Sequence, residues 1–264
     1  MAGAVFRKAL FDARRGILGW GIALALYAAF MILLYPYLTE IEGYRELLQN
    51  LPVIFKGMLG GIDEMLSPEG YIAGYLFSYA PLVLCAYGIL SGASSVAGEE
   101  KRGTIDLLMS APVPRWRVIL EKFAAFLVSL IGILAITFVG MVIGLALTPE
   151  LAISIGRLAE TVLNVVPITL AFGALAFFLS ATLPTRLSAA LFATAVLVAF
   201  YMVNVLAPLT TALDPVQAVN PFHYYGTTTM FEGIDVGNAL VLLVVTGVLL
   251  ALCVVGFERR DLAV

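Results

Sequence analysis

The chain has 264 residues, of which 61% are hydrophobic and only 12% charged, with a formal net charge of −3 and a mean hydropathy of +1.01. A soluble domain averages roughly 45–50% apolar and about 25% charged residues, so the composition argues against a water-soluble enzyme, and no basic excess marks a nucleic-acid-binding module. The only two cysteines, Cys85 and Cys253, sit inside apolar runs, where they read as small packed hydrophobes rather than as a disulfide framework or a metal site.

Crossing a hydrocarbon core of roughly 30 Å takes about 20 apolar residues, because a helix rises about 1.5 Å per residue. Six runs meet that length, so the reading is an all-α integral membrane protein in a single transmembrane domain over residues 1–264. Residues 1–16 are expected as a short amphipathic helix in the interface. Val5, Phe6, Ala9, Leu10 and Ala13 lie on one side and Arg7, Lys8, Asp12, Arg14 and Arg15 mostly on the other, although an ordinary cationic flank of the first span explains the same charges. Span 1 covers residues 17–35. It is longer than the core of a secretory signal and ends in Tyr-Pro-Tyr without a small-residue cleavage site.

The loop from Tyr37 to Gly70 is strongly acidic. Leu47, Leu48, Leu51, Ile54, Phe55, Met58 and Leu59 recur in it at helical spacing, which predicts a helix lying along the outer surface. Span 2, residues 71–97, is expected to bend at Pro81, with Tyr71, Tyr75 and Tyr79 four apart along one side. The segment that follows carries a charge cluster, Glu99, Glu100, Lys101 and Arg102. Gly103-Thr104 comes next, with Thr104 able to cap a helix, and Pro112 and Pro114 stop that helix. Ile105, Leu108 and Met109 share one side of this short helix, and an apolar side exposed in a solvated loop calls for a covering partner.

Span 3, residues 123–147, contains Gly140 and Gly144, a small-x-x-x-small pair that permits close helix approach to a neighbour in the same chain or in another. Span 4 follows at residues 162–183, and span 5, with Tyr201 and Asn204, at 187–213. Between residues 214 and 235, the run Asn220-Pro221-Phe222-His223-Tyr224-Tyr225-Gly226 suits an outer re-entrant hairpin dipping partway into the membrane, buried against protein. Span 6 covers residues 236–257.

Orientation follows from the basic residues. With the N-terminus inside, the inner segments hold 12 of the 15 Lys and Arg, whereas the outer segments hold only Arg45, Lys56 and Arg157 against eleven acids. Both termini are therefore expected in the cytoplasm. The segment Gly98–Thr104 superficially resembles a phosphate-binding loop, but it lacks the Lys after the second Gly and follows no strand. A single histidine, His223, cannot supply a His-based metal site, and no catalytic constellation is present. The span centres carry no Lys, Arg, Asp or Glu, which weighs against proton coupling.

The inner segment resembles that of the permeases of type-2 ATP-binding-cassette (ABC) exporters, which carry an acidic-basic cluster, Gly-Thr, a Leu-rich turn and a Pro between helices two and three. Here these are Glu99 to Arg102, Gly103-Thr104, Leu107-Leu108 and Pro112, followed by Arg115, Trp116 and Lys122. Phe6-Arg7-Lys8 through Arg14-Arg15, Pro221-Phe222, and the closing Phe257-Glu258-Arg259-Arg260-Asp261-Leu262 are similar to the same family. The resemblance implies a multi-pass subunit of the plasma (inner) membrane with six helices and both termini cytoplasmic. It also implies pairing with a second permease copy, identical or related, and docking of separate cytoplasmic ATPase subunits on a coupling helix between spans 2 and 3. ATP and magnesium would bind the partner ATPase, leaving this chain non-catalytic and without a cofactor of its own. Docking would fall on Glu99, Glu100, Lys101, Arg102, Gly103, Thr104, Ile105, Leu107, Leu108 and Met109, flanked by Arg115 and Arg117. The substrate route would run along spans 2 and 5, past Tyr71, Tyr75, Tyr79, Tyr201 and Asn204. The alternative is a stand-alone secondary transporter driven by an ion gradient, with spans 1–3 and 4–6 as inverted halves.

Overall fold

The computed structural model of the protein describes residues 3–52, 67–98, 114–226 and 229–259, and every regular element among them is helical. In chain order these are α1 (Ala4–Thr39), α2 (Tyr44–Gln49), α3 (Pro68–Ile72), a π-helical turn (Ala73–Phe77), α4 (Ala80–Ala93), α5 (Arg115–Leu147), α6 (Ile155–Thr182) and α7 (Arg186–Leu206). Two 3₁₀ turns (Ala207–Leu209 and Thr211–Leu213), α8 (Asp214–Gln217), α9 (Pro221–Tyr225), α10 (Thr229–Glu232) and α11 (Val236–Arg259) complete the chain. Six helical runs are long and apolar enough to span a membrane: α1, α3 through α4, α5, α6, α7 with its first 3₁₀ turn, and α11. The protein is a multi-pass membrane protein.

The span boundaries differ from the hydropathy reading, and the reason is general. Hydropathy finds the part of a helix that faces hydrocarbon, whereas hydrogen bonding sets where the helix ends. The expected short amphipathic helix is not a separate element, because α1 runs unbroken for 36 residues from Ala4 to Thr39. At about 1.5 Å per residue that is roughly 54 Å, longer than a hydrocarbon core of roughly 30 Å. Likewise α5 starts at Arg115 rather than at residue 123. Span 2 stops its regular helix at Ala93, and span 5 stops at Leu206 with 3₁₀ turns beyond. In the outer loop, α2 covers six residues of the expected surface helix and buries Leu48 against Tyr75. The helix ends at Gln49, so Leu51 lies in a bend beyond it, and Ile54, Phe55, Met58 and Leu59 fall outside the described residues.

The break in span 2 lies just before Pro81. A proline has no N–H to donate, and its ring clashes with the carbonyl four residues back, here that of Phe77. The chain accommodates this with the π-helical turn and restarts at Ala80 with Pro81 in the first turn. The Phe77 carbonyl accepts a hydrogen bond from the Tyr225 hydroxyl at 2.9 Å.

Two parallel helix pairs organise the bundle. Span 1 lies along span 3 in a constant register, with Ile17 beside Gly132, Ala25 beside Gly140 and Ala29 beside Gly144. A Cβ on Gly140 would stand 2.8 Å from the Ala25 Cα, so the small-x-x-x-small pair serves an approach within the chain. Span 2 lies along span 4 in the same manner. Gly88 and Gly92 face Thr169, Gly173 and Ala176, and a Cβ on Gly92 would meet the Gly173 carbonyl at 2.7 Å. Span 4 is the hub, the most buried of the six, and also carries span 6. Packing is dense within the span 1–3 pair and within the group of spans 2, 4 and 6, and thinner along the seam between them.

Candidate functional site

Residues 99–113 lie outside the described residues, and with them Glu99 through Met109 of the expected coupling helix. What is described is the stem on either side of that segment, residues 93–98 and 114–122. On the incoming side, span 2 ends at Ala93 and its last carbonyls and the following N–H groups lose helical partners. Ser180 of span 4 takes them up. Its Oγ accepts from the N–H groups of Val96 (3.2 Å) and Ala97 (3.0 Å) and donates to the Ala93 carbonyl (3.0 Å), all fully buried.

The outgoing side begins at Pro114 in extended backbone, after which α5 starts. Its first two turns carry four charged side chains that reach three other elements. Arg115 donates to the Phe257 carbonyl at 3.1 Å, with its guanidinium 5.5 Å from the Phe257 ring in span 6. Lys122 donates to the Ser95 carbonyl, tying span 3 to the incoming stem. Arg117 pairs with Glu121 at 2.9 Å. Glu121 in turn accepts from the backbone N–H groups of Gly3 and Phe6, both at 3.1 Å. Gly3 at the start of α1 has no side chain to cap its own helix, so a carboxylate from the neighbouring helix satisfies the exposed N–H groups and meets the positive end of the helix dipole.

Of the two described residues expected at the docking flank, Arg115 is thus turned onto span 6 and Arg117 onto Glu121. Ser180, Glu121 and Phe257 were not picked out for this role in the sequence. The Arg117–Glu121 spacing of four was a usable signal; nothing local pointed to Ser180.

At the other end of the bundle, the expected route residues divide into two places. Tyr71 is buried, donates to the Met31 carbonyl at 2.8 Å, and packs its ring against Tyr35 (5.0 Å) and Tyr75 (4.8 Å). The Tyr75 hydroxyl meets that of Tyr44 at 3.2 Å. Burial and this hydrogen bond push the Tyr44 phenol above its usual range. Tyr79 is partly exposed and belongs to the turn at the helix break. Tyr201 lies on span 5, its ring 5.5 Å from Phe222, and its buried hydroxyl has no hydrogen-bond partner among the described residues. Asn204 is partly exposed. The structure therefore joins Tyr71 to Tyr75 and sets Tyr201 against the α8–α10 segment.

That segment is three short helices seated on spans 2, 4, 5 and 6. Asn220 is fully buried, caps α9 by accepting from the Phe222 N–H at 3.0 Å, and donates to the Phe200 carbonyl at 3.1 Å. Pro221 supplies the favoured first helical residue after the cap. Asn164, buried in span 4, donates to the Tyr225 carbonyl at 2.8 Å and the Thr229 Oγ1 at 2.7 Å. As a neutral amide within an apolar span, Asn164 carries no charge to mark it in the sequence. His223 is exposed and stacks edge-on with Tyr224. Among the described residues no group of three or more His, Cys, Asp or Glu is placed to hold a metal.

The family model described as ABC-2 family transporter protein matches residues 4–262, nearly the whole chain. No curated protein sequence matches it.

Proposed function

The chain belongs to the ABC-2 transporter family, and from that premise we propose that it is the transmembrane subunit of an ATP-driven exporter. It moves its substrate out across the plasma membrane on ATP hydrolysed by a separate cytoplasmic ATPase. Both termini face the cytoplasm, following the distribution of Lys and Arg, and a second permease copy completes the transporter. The ATPase docks on the segment from Glu99 to Met109, whose apolar residues Ile105, Leu108 and Met109 it covers.

The observation that carries this reading is the stem. The docking segment links span 2, in one packed group of helices, to span 3, in the other. Lys122 and Arg115 strap the two groups together at that same end, and Ser180 makes the incoming stem one body with span 4. A push on the segment therefore acts directly on the seam, and the cap that Glu121 places on α1 carries it to span 1. Opening at the other end moves span 2 and span 5, with Tyr71, Tyr75, Tyr79, Tyr201 and Asn204 along the route and the α8–α10 segment as its outer closure.

The test is association with the ATPase after Leu107→Glu or Leu108→Glu, measured by co-purification from membranes. The expected result is normal membrane insertion with at least a tenfold loss of bound ATPase. Undiminished association in both variants would place docking elsewhere.

A further inference from the structure

A cavity of about 410 Å³ opens at the stem end of the bundle, in the seam where spans 1, 2, 3 and 4 meet. Its volume falls within the range of small-molecule sites, and its lining is divided. Trp20, Tyr87, Phe126 and Phe177 form an aromatic wall, with Trp20 and Tyr87 in edge-on contact at 5.8 Å and Tyr87 6.0 Å from Phe126. Lys122 and Arg186 stand at its polar end, together with one acid, Asp12, which is exposed at the mouth. Ser95, only 6% exposed, also lines the cavity, and its hydroxyl is buried without a hydrogen-bond partner among the described residues. A buried hydroxyl left in that state costs free energy unless something supplies its partner.

We propose that this cavity binds an amphiphile with an anionic head, the head on Lys122, Arg186 and the Ser95 hydroxyl and the first part of the chain against the aromatic wall. Among the described lining residues, two cations stand with one acid, a balance that favours an anion. The ammonium of Lys122, which donates to the Ser95 carbonyl, brings its positive charge to that end of the cavity, and the guanidinium of Arg186 matches a phosphate or carboxylate in plane. The aromatic wall offers a chain the contact that the polar end cannot. Because the cavity lies in the seam and shares Lys122 and Ser95 with the stem, an occupant sits where movement of the docking segment is transmitted. The leaflet, the inner one, and the link to the docking segment rest on the function proposed above.

Two sources share this chemistry: anionic phospholipid of the bilayer and an anionic amphiphile arriving from the cytoplasm. Trp20 lines the cavity and the only other tryptophan is Trp116, so a Trp116→Phe protein reports on Trp20 alone. The experiment places that protein in nanodiscs and measures quenching of its fluorescence by phosphatidylglycerol brominated along its chains, by phosphatidylcholine brominated identically, and by a brominated fatty acid. Binding of bilayer lipid predicts half-maximal quenching by the phosphatidylglycerol at a mole fraction at least threefold below that for the phosphatidylcholine. Binding of a cytoplasmic amphiphile predicts saturable quenching by the fatty acid. Either preference should vanish in Lys122→Gln/Arg186→Gln and return in Lys122→Arg/Arg186→Lys, which keeps the charge and controls for folding. Equal quenching by the two phospholipids with no saturable effect of the fatty acid would overturn the proposal, as would a preference that survives in the glutamine variant. The outcome is independent of ATPase capture, so a failed lipid preference and a failed permease reading are told apart.

Discussion

The Ser180 hydroxyl holds three backbone groups that span 2 leaves open where its helix ends, accepting from Val96 and Ala97 and donating to Ala93. Removing that oxygen strands two buried N–H groups, each worth about 1–3 kcal/mol when left unpaired. Ser180→Ala should therefore lower the thermal midpoint of the purified protein and speed amide exchange at residues 93–98, while exchange in the α8–α10 segment stays as in the native protein. Unchanged exchange at Val96 and Ala97 would mean that the stem is held by something else. This residue was illegible in the sequence because it lies 83 and 84 residues from the groups it binds, and a lone serine in an apolar span announces nothing. Glu121 could have been found from its spacing to Arg117, but its more consequential bonds go to the start of α1, 115 and 118 residues away.

At the scale of elements, the six spans were legible because bilayer thickness dictates the length of an apolar run. Their ends were not, because α1 and α5 continue as helices past the ends of their apolar runs. Pro81 announced a bend, and the chain answers it with a π-helical turn on its N-terminal side, where the lost donor leaves the Phe77 carbonyl for Tyr225. The glycine pair in span 3 announced a close approach without saying to what. Its partner proves to be span 1 of the same chain, and an equivalent pair in span 2, Gly88 and Gly92, faces span 4. Gly140→Leu must push span 1 off span 3, since even a Cβ would meet Ala25 at 2.6 Å. Overpacking of this kind costs about 1–3 kcal/mol or more. The measurement is the thermal midpoint in detergent, compared with Gly19→Leu, where the added side chain meets open space within the chain. A marked fall for the first and little change for the second is expected; equal midpoints would remove the span 1–3 contact from the account.

For the molecule as a whole, the described residues form two packed groups of helices strapped together at the end where residues 99–113 connect them. Spans 1 and 3 form one group; spans 2, 4 and 6 form the other, with span 5 on its flank. Much of the outward surface of spans 1, 5 and 6 is large and apolar, as with Phe30, Leu191, Phe192 and Val244, which suits contact with lipid or with a second permease. Membership of the ABC-2 transporter family implies pairing with ABC ATPase subunits, and the proposed work cycle depends on that partner. The measurement that tests this most directly is purification of the tagged chain from its native membranes in mild detergent, beside a control ABC complex known to survive the procedure. The account predicts a soluble ATPase at stoichiometric level in the same fraction. A chain that arrives alone while the control stays whole would contradict it.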